Sequence, residues 1–312
     1  MTDSQAIRNL CDSWKDAVVH PDGSIAIGGD SERFRQLANS VAFHDLDYDS
    51  MRAACIGLTS VLLLPGQNTV VDRDHHALWS WCGELLCGSQ SPYFNRSMEE
   101  YPLRRLMELC FRASLVGTCR PDRAGWEQMQ ASNRLLDVHA QAWMLGSHTA
   151  LAYLAFPMLE GVTKRHCSDF VQMDGRAIQT WKALQADGST RTYQPGRTSS
   201  SLWSLLELLR STVASDELRG DLTQLEAHFA TFSDDGSPGF KVLYDWRNGS
   251  LHGASLNSTV GATVLNMAIL IALSSLREHY EAVRRQTLDQ VRYDLQSGSA
   301  HRSPWSYYPP YT

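Results

Sequence analysis

Apolar residues recur at helical spacing along most of the chain. Met51, Ala54/Cys55, Leu58 and Leu62 predict a helix over Ser50–Leu64, stopped by Pro65-Gly66. Ala77/Leu78, Trp81 and Leu85 predict a second over Asp74–Leu86. Leu103, Leu106/Met107, Cys110 and Ser114 predict a third over Leu103–Val116. Met129, Leu135/Leu136, His139 and Trp143 predict a long helix over Trp126–Gly146. Thr149–His166 follows, with a kink or break expected at Pro157. A serine run suited to capping opens Ser199–Val213. Asp221–Phe232, Phe240–Leu251 and Thr259–Arg285 complete the set. Strand signals are confined to Ser24–Ile27 and to Thr190–Tyr193, the latter a lone strand or a hairpin arm on the loop around Asp187-Gly188. The pattern is that of an all-α protein.

Pro and Gly meet charged residues in Thr118–Gly125, which marks the expected boundary. It separates a helical N-terminal accessory domain, 1–122, from a helical bundle, 123–290. A Pro- and Tyr-rich tail is set at 291–312, and its part Ser297–Thr312 is too irregular for a helix and is expected to lie extended against the fold or to be disordered.

Composition narrows the function. Lys plus Arg is 28 against 34 Asp plus Glu, a formal charge of −6. That excludes a protein that coats nucleic acid by bulk charge, and leaves room for a local RNA site. Of the segments 1–122, 123–240 and 241–312, only the last has a cationic excess. Apolar residues at 43% and charged residues at 20% are enough for a real core. Seven cysteines without a CxxC, and an N-terminus without a basic and then apolar run, point to reduced thiols in the cytoplasm. The uncharged run Gly253–Leu276 carries Asn257, Thr263, Asn266 and several serines, so it reads as a buried core helix rather than a membrane span.

One stretch carries chemistry: Tyr244-Asp245-Trp246-Arg247-Asn248-Gly249-Ser250-Leu251-His252-Gly253. Five residues of helix turn through about 500°, which leaves Arg247 and His252 about 140° apart. A terminal turn that tightens or unwinds before Gly253 brings them to one groove. The Arg-Asn-x-x-x-His-Gly pattern, set before a long apolar helix, resembles the signature of the HEPN superfamily. Ala152–Arg165, with Glu160 among apolar residues and Lys164 after it, resembles that family's early helix. The loop-rich insert Asp169–Ser199 is most similar to the Apea-like branch. The resemblance covers roughly residues 130–290. Gly249 inside the motif and Pro157 before Glu160 depart from the usual pattern.

The resemblance implies a metal-independent endoribonuclease, in phage defence or a toxin-like role, needing no cofactor and working as a homodimer through the bundle. His252 then serves as acid or base, Arg247 holds the phosphate, and Asn248 orients the phosphate or the His. Glu160 is expected to pair with Arg247 and fix its direction, and Asp245 is the other carboxylate within reach. Val264–Leu276, apolar nearly all round, is expected to need a second copy to cover it. Lys241, Arg277, Arg284 and Arg285 are the cations from which a phosphate track to the site would be built, the last three on one continuous helix. The alternative is a noncatalytic HEPN module that binds RNA, a nucleotide or a partner protein. The N-terminal domain is the expected place for a protein partner or activator. Asp72-Arg73-Asp74-His75-His76 is read as an acidic helix start, because neighbours about 100° apart cannot all ligate one metal. Cys82 and Cys87 are read as core residues, and His139 and His148 as core or interface.

Overall fold

The computed structural model describes residues 43–62, 73–95, 97–116, 123–185, 188–199, 201–252, 258–297 and 306–308. The Ser24–Ile27 strand, Cys11, Asp72, Cys119, Gly253 and most of the tail lie outside the described residues. In chain order the helices are α1 (Tyr48–Leu62), α2 (Arg73–Cys87), α3 (Tyr101–Ser114), α4 (Arg123–Arg134) and α5 (Val138–His166). A hairpin of β1 (Trp181–Leu184) and β2 (Thr190–Tyr193) follows. Then come α6 (Leu202–Leu208), α7 (Asp216–Ala230), α8 (Gly239–Leu251), α9 (Ser258–Ser274) and α10 (Tyr280–Gln296). The fold is mostly helical, and its described strands form one antiparallel pair, Trp181 opposite Tyr193.

Helix α9 is the axis of the molecule. Every described side chain from Val260 to Leu273 is buried, covered mainly by α5 and α1. A Cβ on Gly261 would stand 2.6 Å from the Ala152 backbone nitrogen, so glycine there lets α9 and α5 approach backbone to backbone. Asn266 in mid-helix accepts a hydrogen bond from Trp79 Nε1 at 2.5 Å. The apolar excess of Val264–Leu276 is therefore covered within one chain and does not itself demand a second copy. Among the described residues no single helix is long and apolar enough to cross a membrane.

Three expected boundaries move. The long helix does not end at Gly146. Leu135, Leu136 and Asp137 make the break, where Asp137 caps α5 by accepting from the amides of His139 (2.8 Å) and Ala140 (3.0 Å). From there α5 runs unbroken through Gly146 and Pro157 to His166. Pro157 is tolerated because it sits on the exposed side of the helix. The expected Thr259–Arg285 helix breaks after Ser274, with a 68° bend between its halves. Ser274 Oγ bonds back to the Ile271 carbonyl, and tight turns from Ser275 and Leu276 close the end while Leu276 is buried. Third, α10 continues to Gln296, so the tail begins after 291.

The division at residue 122 does not appear as a break in packing. α3 lies along α5, and α1 lies along α9, in one continuous core. Arg52 of α1 grips Asp221 of α7 with two hydrogen bonds of 2.8 Å, and Arg165 of α5 reaches Glu100 before α3 at 2.9 Å. The described cysteines, Cys55, Cys82, Cys87, Cys110 and Cys167, are free and buried. Burial raises the thiol pKa of Cys82, Cys87, Cys110 and Cys167, which suits packing rather than reactivity.

His75 belongs to this core. It is fully buried, with Nε2 3.2 Å from the Leu58 carbonyl, and burial pushes its pKa down to about 4. The unfolded imidazole titrates near 6.5, so between the two values the unfolded chain binds more protons. The contribution to stability is complete above pH 6.5 and is lost as pH falls toward 4. Urea unfolding between pH 7 and pH 4 should show a loss of about 3 kcal/mol from this residue. His75→Gln should flatten the profile by that amount; an unchanged slope would show that His75 is not the titrating group.

Candidate functional site

Helix α8 carries the motif. Phe240, Leu243, Arg247 and Ser250 share its inward stripe, at offsets of three and four residues. Phe240 and Leu243 are fully buried and fix the rotation of the helix, which aims Arg247 at α5. There Arg247 Nη2 lies 3.3 Å from Glu160 Oε2. The other oxygen, Oε1, is 2.7 Å from Lys164 Nζ. The Arg247 Nη1 group donates to Asn248 Oδ1 at 3.3 Å. One carboxylate thus lies between two cations, and the cluster keeps one net positive charge. Its side chains retain 11–23% exposure, enough for a ligand to touch and too little for water to screen the charges fully.

His252 ends the helix. Its backbone N–H donates to the Asn248 carbonyl at 3.1 Å, so the last turn neither unwinds nor swings the ring inward. The residue is exposed, and among the described residues no hydrogen bond connects Arg247 with His252. On this regular last turn the two point about 140° apart, Arg247 toward α5 and His252 to solvent at the end of α8.

The other sequence candidates fall elsewhere. Asp245 is exposed and pairs with Lys241 one turn back on α8, so it does not support Arg247. The bend after α9 removes the continuous helix on which Arg277, Arg284 and Arg285 were to share a face. Arg277 sits in the short turn Arg277–His279 and binds Glu217 at 2.7 Å. Arg284 binds Glu281 at 2.7 Å and the His44 carbonyl at 3.0 Å. Arg285 is exposed on α10, a helix that packs against α2.

Other features were not apparent from spacing. None of the described residues from 131 to 146 is buried, so α4 and the start of α5 project from the body. His139 is exposed there, while His148 is half-buried. A hollow of about 480 Å³ under this projection is lined by His76, Met129, Met144 and His148, among others. Burial lowers the pKa of both histidines, His76 to about 3, and among the described residues no lysine or arginine lines the hollow. It is poorly suited to phosphate. No group of three or more His, Cys, Asp or Glu placed to hold a metal occurs among the described residues. Comparison of the chain with known protein families, curated proteins and solved structures finds no match.

Proposed function

We propose that this chain is a metal-independent endoribonuclease of HEPN type, acting in phage defence or a toxin-like role. The observation that carries the reading is the Lys164–Glu160–Arg247 cluster, since a carboxylate that aims a guanidinium and is itself offset by a lysine makes a preorganised anion site. Exposed His252 ends the helix that carries Arg247.

The chemistry needs no other reagent. The RNA 2′-hydroxyl attacks the adjacent phosphorus as a histidine takes its proton. The phosphorane gains negative charge, which Arg247 stabilises. The P–O5′ bond breaks, the 5′-oxygen is protonated, and a 2′,3′-cyclic phosphate and a 5′-hydroxyl result. Asn248, beside the guanidinium, orients the phosphate. A second copy facing the end of α8 would supply a second His252, so that one imidazole acts as base and the other as acid. The test is cleavage of single-stranded RNA in excess EDTA, with light scattering on the same sample. Cyclic-phosphate ends formed by a dimer are expected. Cleavage lost on chelation and restored by Mg²⁺ would overturn the assignment, and a monomer mass at tens of micromolar would overturn the two-histidine site.

One observation favours the second reading, a noncatalytic HEPN module that binds RNA, a nucleotide or a partner protein. Arg247 is mostly enclosed and His252 is exposed, with no contact between them. On that reading RNA binds without being cut.

A further inference from the structure

The insert Asp169–Ser199 is folded, and it abuts the Arg247 cluster. A Cβ at Gly175 would lie 3.6 Å from Lys164 Nζ, the lysine that offsets Glu160. The loop is held by paired backbones. The Ala177 amide donates to the Arg197 carbonyl and the Ser199 amide to the Gly175 carbonyl, both at 2.8 Å. Beyond it the β1–β2 hairpin packs on α6. The Trp181 and Tyr193 rings stack at 4.0 Å, and Tyr193 OH donates to Ser204 Oγ at 2.9 Å. The apolar side is thereby buried and the polar side is fixed outward.

Exposed cations flank the hairpin: Lys182 stands on its outward face, while Arg191, opposite Ala183, stands on the face of Trp181 and Tyr193 and lies over the Tyr193 ring. Lys182, Arg191 and Arg197 are exposed, and none has a carboxylate partner among the described residues. This distinguishes them from Lys241, Arg277 and Arg284, each of which binds a carboxylate. The order along the molecule is insert, Lys164, Glu160 with Arg247, then His252. Four residues of α5 separate Lys164 from Glu160 and five of α8 separate Arg247 from His252. At 1.5 Å per residue these steps are about 6 and 7.5 Å, close to the repeat of an extended single strand. Trp181 and Tyr193 are buried and Phe170 packs against the core, so recognition by the hairpin is of the backbone rather than by base stacking.

We propose that the insert is the entry surface for single-stranded RNA, with Lys182 and Arg197 holding backbone phosphates next to the one bound at Arg247. This rests on the ribonuclease reading. It takes the place of the C-terminal arginine track, and it accounts for local RNA binding by a chain whose net charge is negative.

The experiment measures binding of a 2′-O-methyl single-stranded RNA, which lacks the attacking hydroxyl and so is not cut, across a range of salt. Lys182→Glu with Arg197→Glu should weaken binding at least tenfold at 0.15 M salt. The log–log salt slope should fall by about 1.4, at about 0.7 per phosphate lost. Cleavage of ordinary RNA should show a raised KM and an unchanged kcat. The neutral pair Lys182→Gln with Arg197→Gln should fall between, with melting temperatures unchanged throughout. Affinity and slope like wild type in both variants, while the wild type still cuts RNA, would overturn the entry surface and leave the ribonuclease reading standing. A wild-type chain that neither binds nor cuts RNA would overturn both.

Discussion

His252→Ala is expected to abolish RNA cleavage while moving the melting temperature by no more than a few degrees. The side chain is exposed at the end of α8, and the bond that closes the helix comes from its backbone, which alanine retains. Losing the ring therefore costs little stability. Losing a general acid or base costs typically 10²–10⁴ in rate, and more where two act in concert. Arg247→Ala should differ in kind. It leaves Glu160 half-buried with Lys164 as its remaining ion-pair partner, so both rate and stability should fall. Arg247→Lys should restore most of the stability and little of the rate, because an ammonium cannot hold two phosphate oxygens in a planar fork. Cleavage by His252→Ala at the wild-type rate would end the assignment of this residue. A stability loss as large as that of Arg247→Ala would show instead that the ring is structural.

Much of this site was legible because the code for it is local. Phe240, Leu243 and Arg247 fall on one helical stripe, so the direction of the arginine follows from spacing alone. The hairpin arm Thr190–Tyr193 was legible from its β-branched and aromatic residues beside a glycine-bearing turn. What spacing could not supply was tertiary context. Pro157 takes one amide from the helix, and spacing does not say whether the packing of the rest of α5 outweighs that loss. The run Thr259–Arg285 is periodic throughout, and its bend comes from serine side chains that compete for backbone carbonyls and from where Leu276 finds cover. The all-round apolar face of α9 was read as needing a second copy to cover it, because periodicity does not say that α1, from the other half of the chain, provides the cover. For the same reason spacing did not show what Arg277 and Arg284 bind. Their partners, Glu217 and the His44 carbonyl, lie far away in sequence.

The tail is the largest feature that sequence alone left open, and it sets up the largest stability effect. Tyr307 is 2% exposed although it stands among prolines, five residues before Thr312. Its ring lies over Gly83 on α2, where a Cβ would stand 2.8 Å from the ring carbons. Phe111 meets it edge-on at 5.8 Å, and the Arg112 guanidinium sits 4.1 Å from its centroid. The backbone is held as well. Glu84 Oε1 accepts from the amides of Tyr307, at 2.5 Å, and Tyr308, at 3.0 Å, while Arg112 donates to the Ser306 carbonyl at 3.1 Å. Tyr307→Ala removes the ring from a slot shaped for it. Truncating a buried aromatic costs about 3–5 kcal/mol, and the lower end applies where a short strap can detach and let water in. A loss of about 3 kcal/mol should lower the melting temperature by roughly 6–12 °C. Gly83→Ala attacks the same contact from the other wall and should also destabilise, because the ring must leave. Once the strap is released by one change the other has nothing left to disturb. The double variant should therefore lose clearly less than the two single losses added together. Strict additivity, or a loss below about 0.5 kcal/mol for Tyr307→Ala, the range of ordinary surface substitutions, would show that the strap does not bear on the stability of the fold.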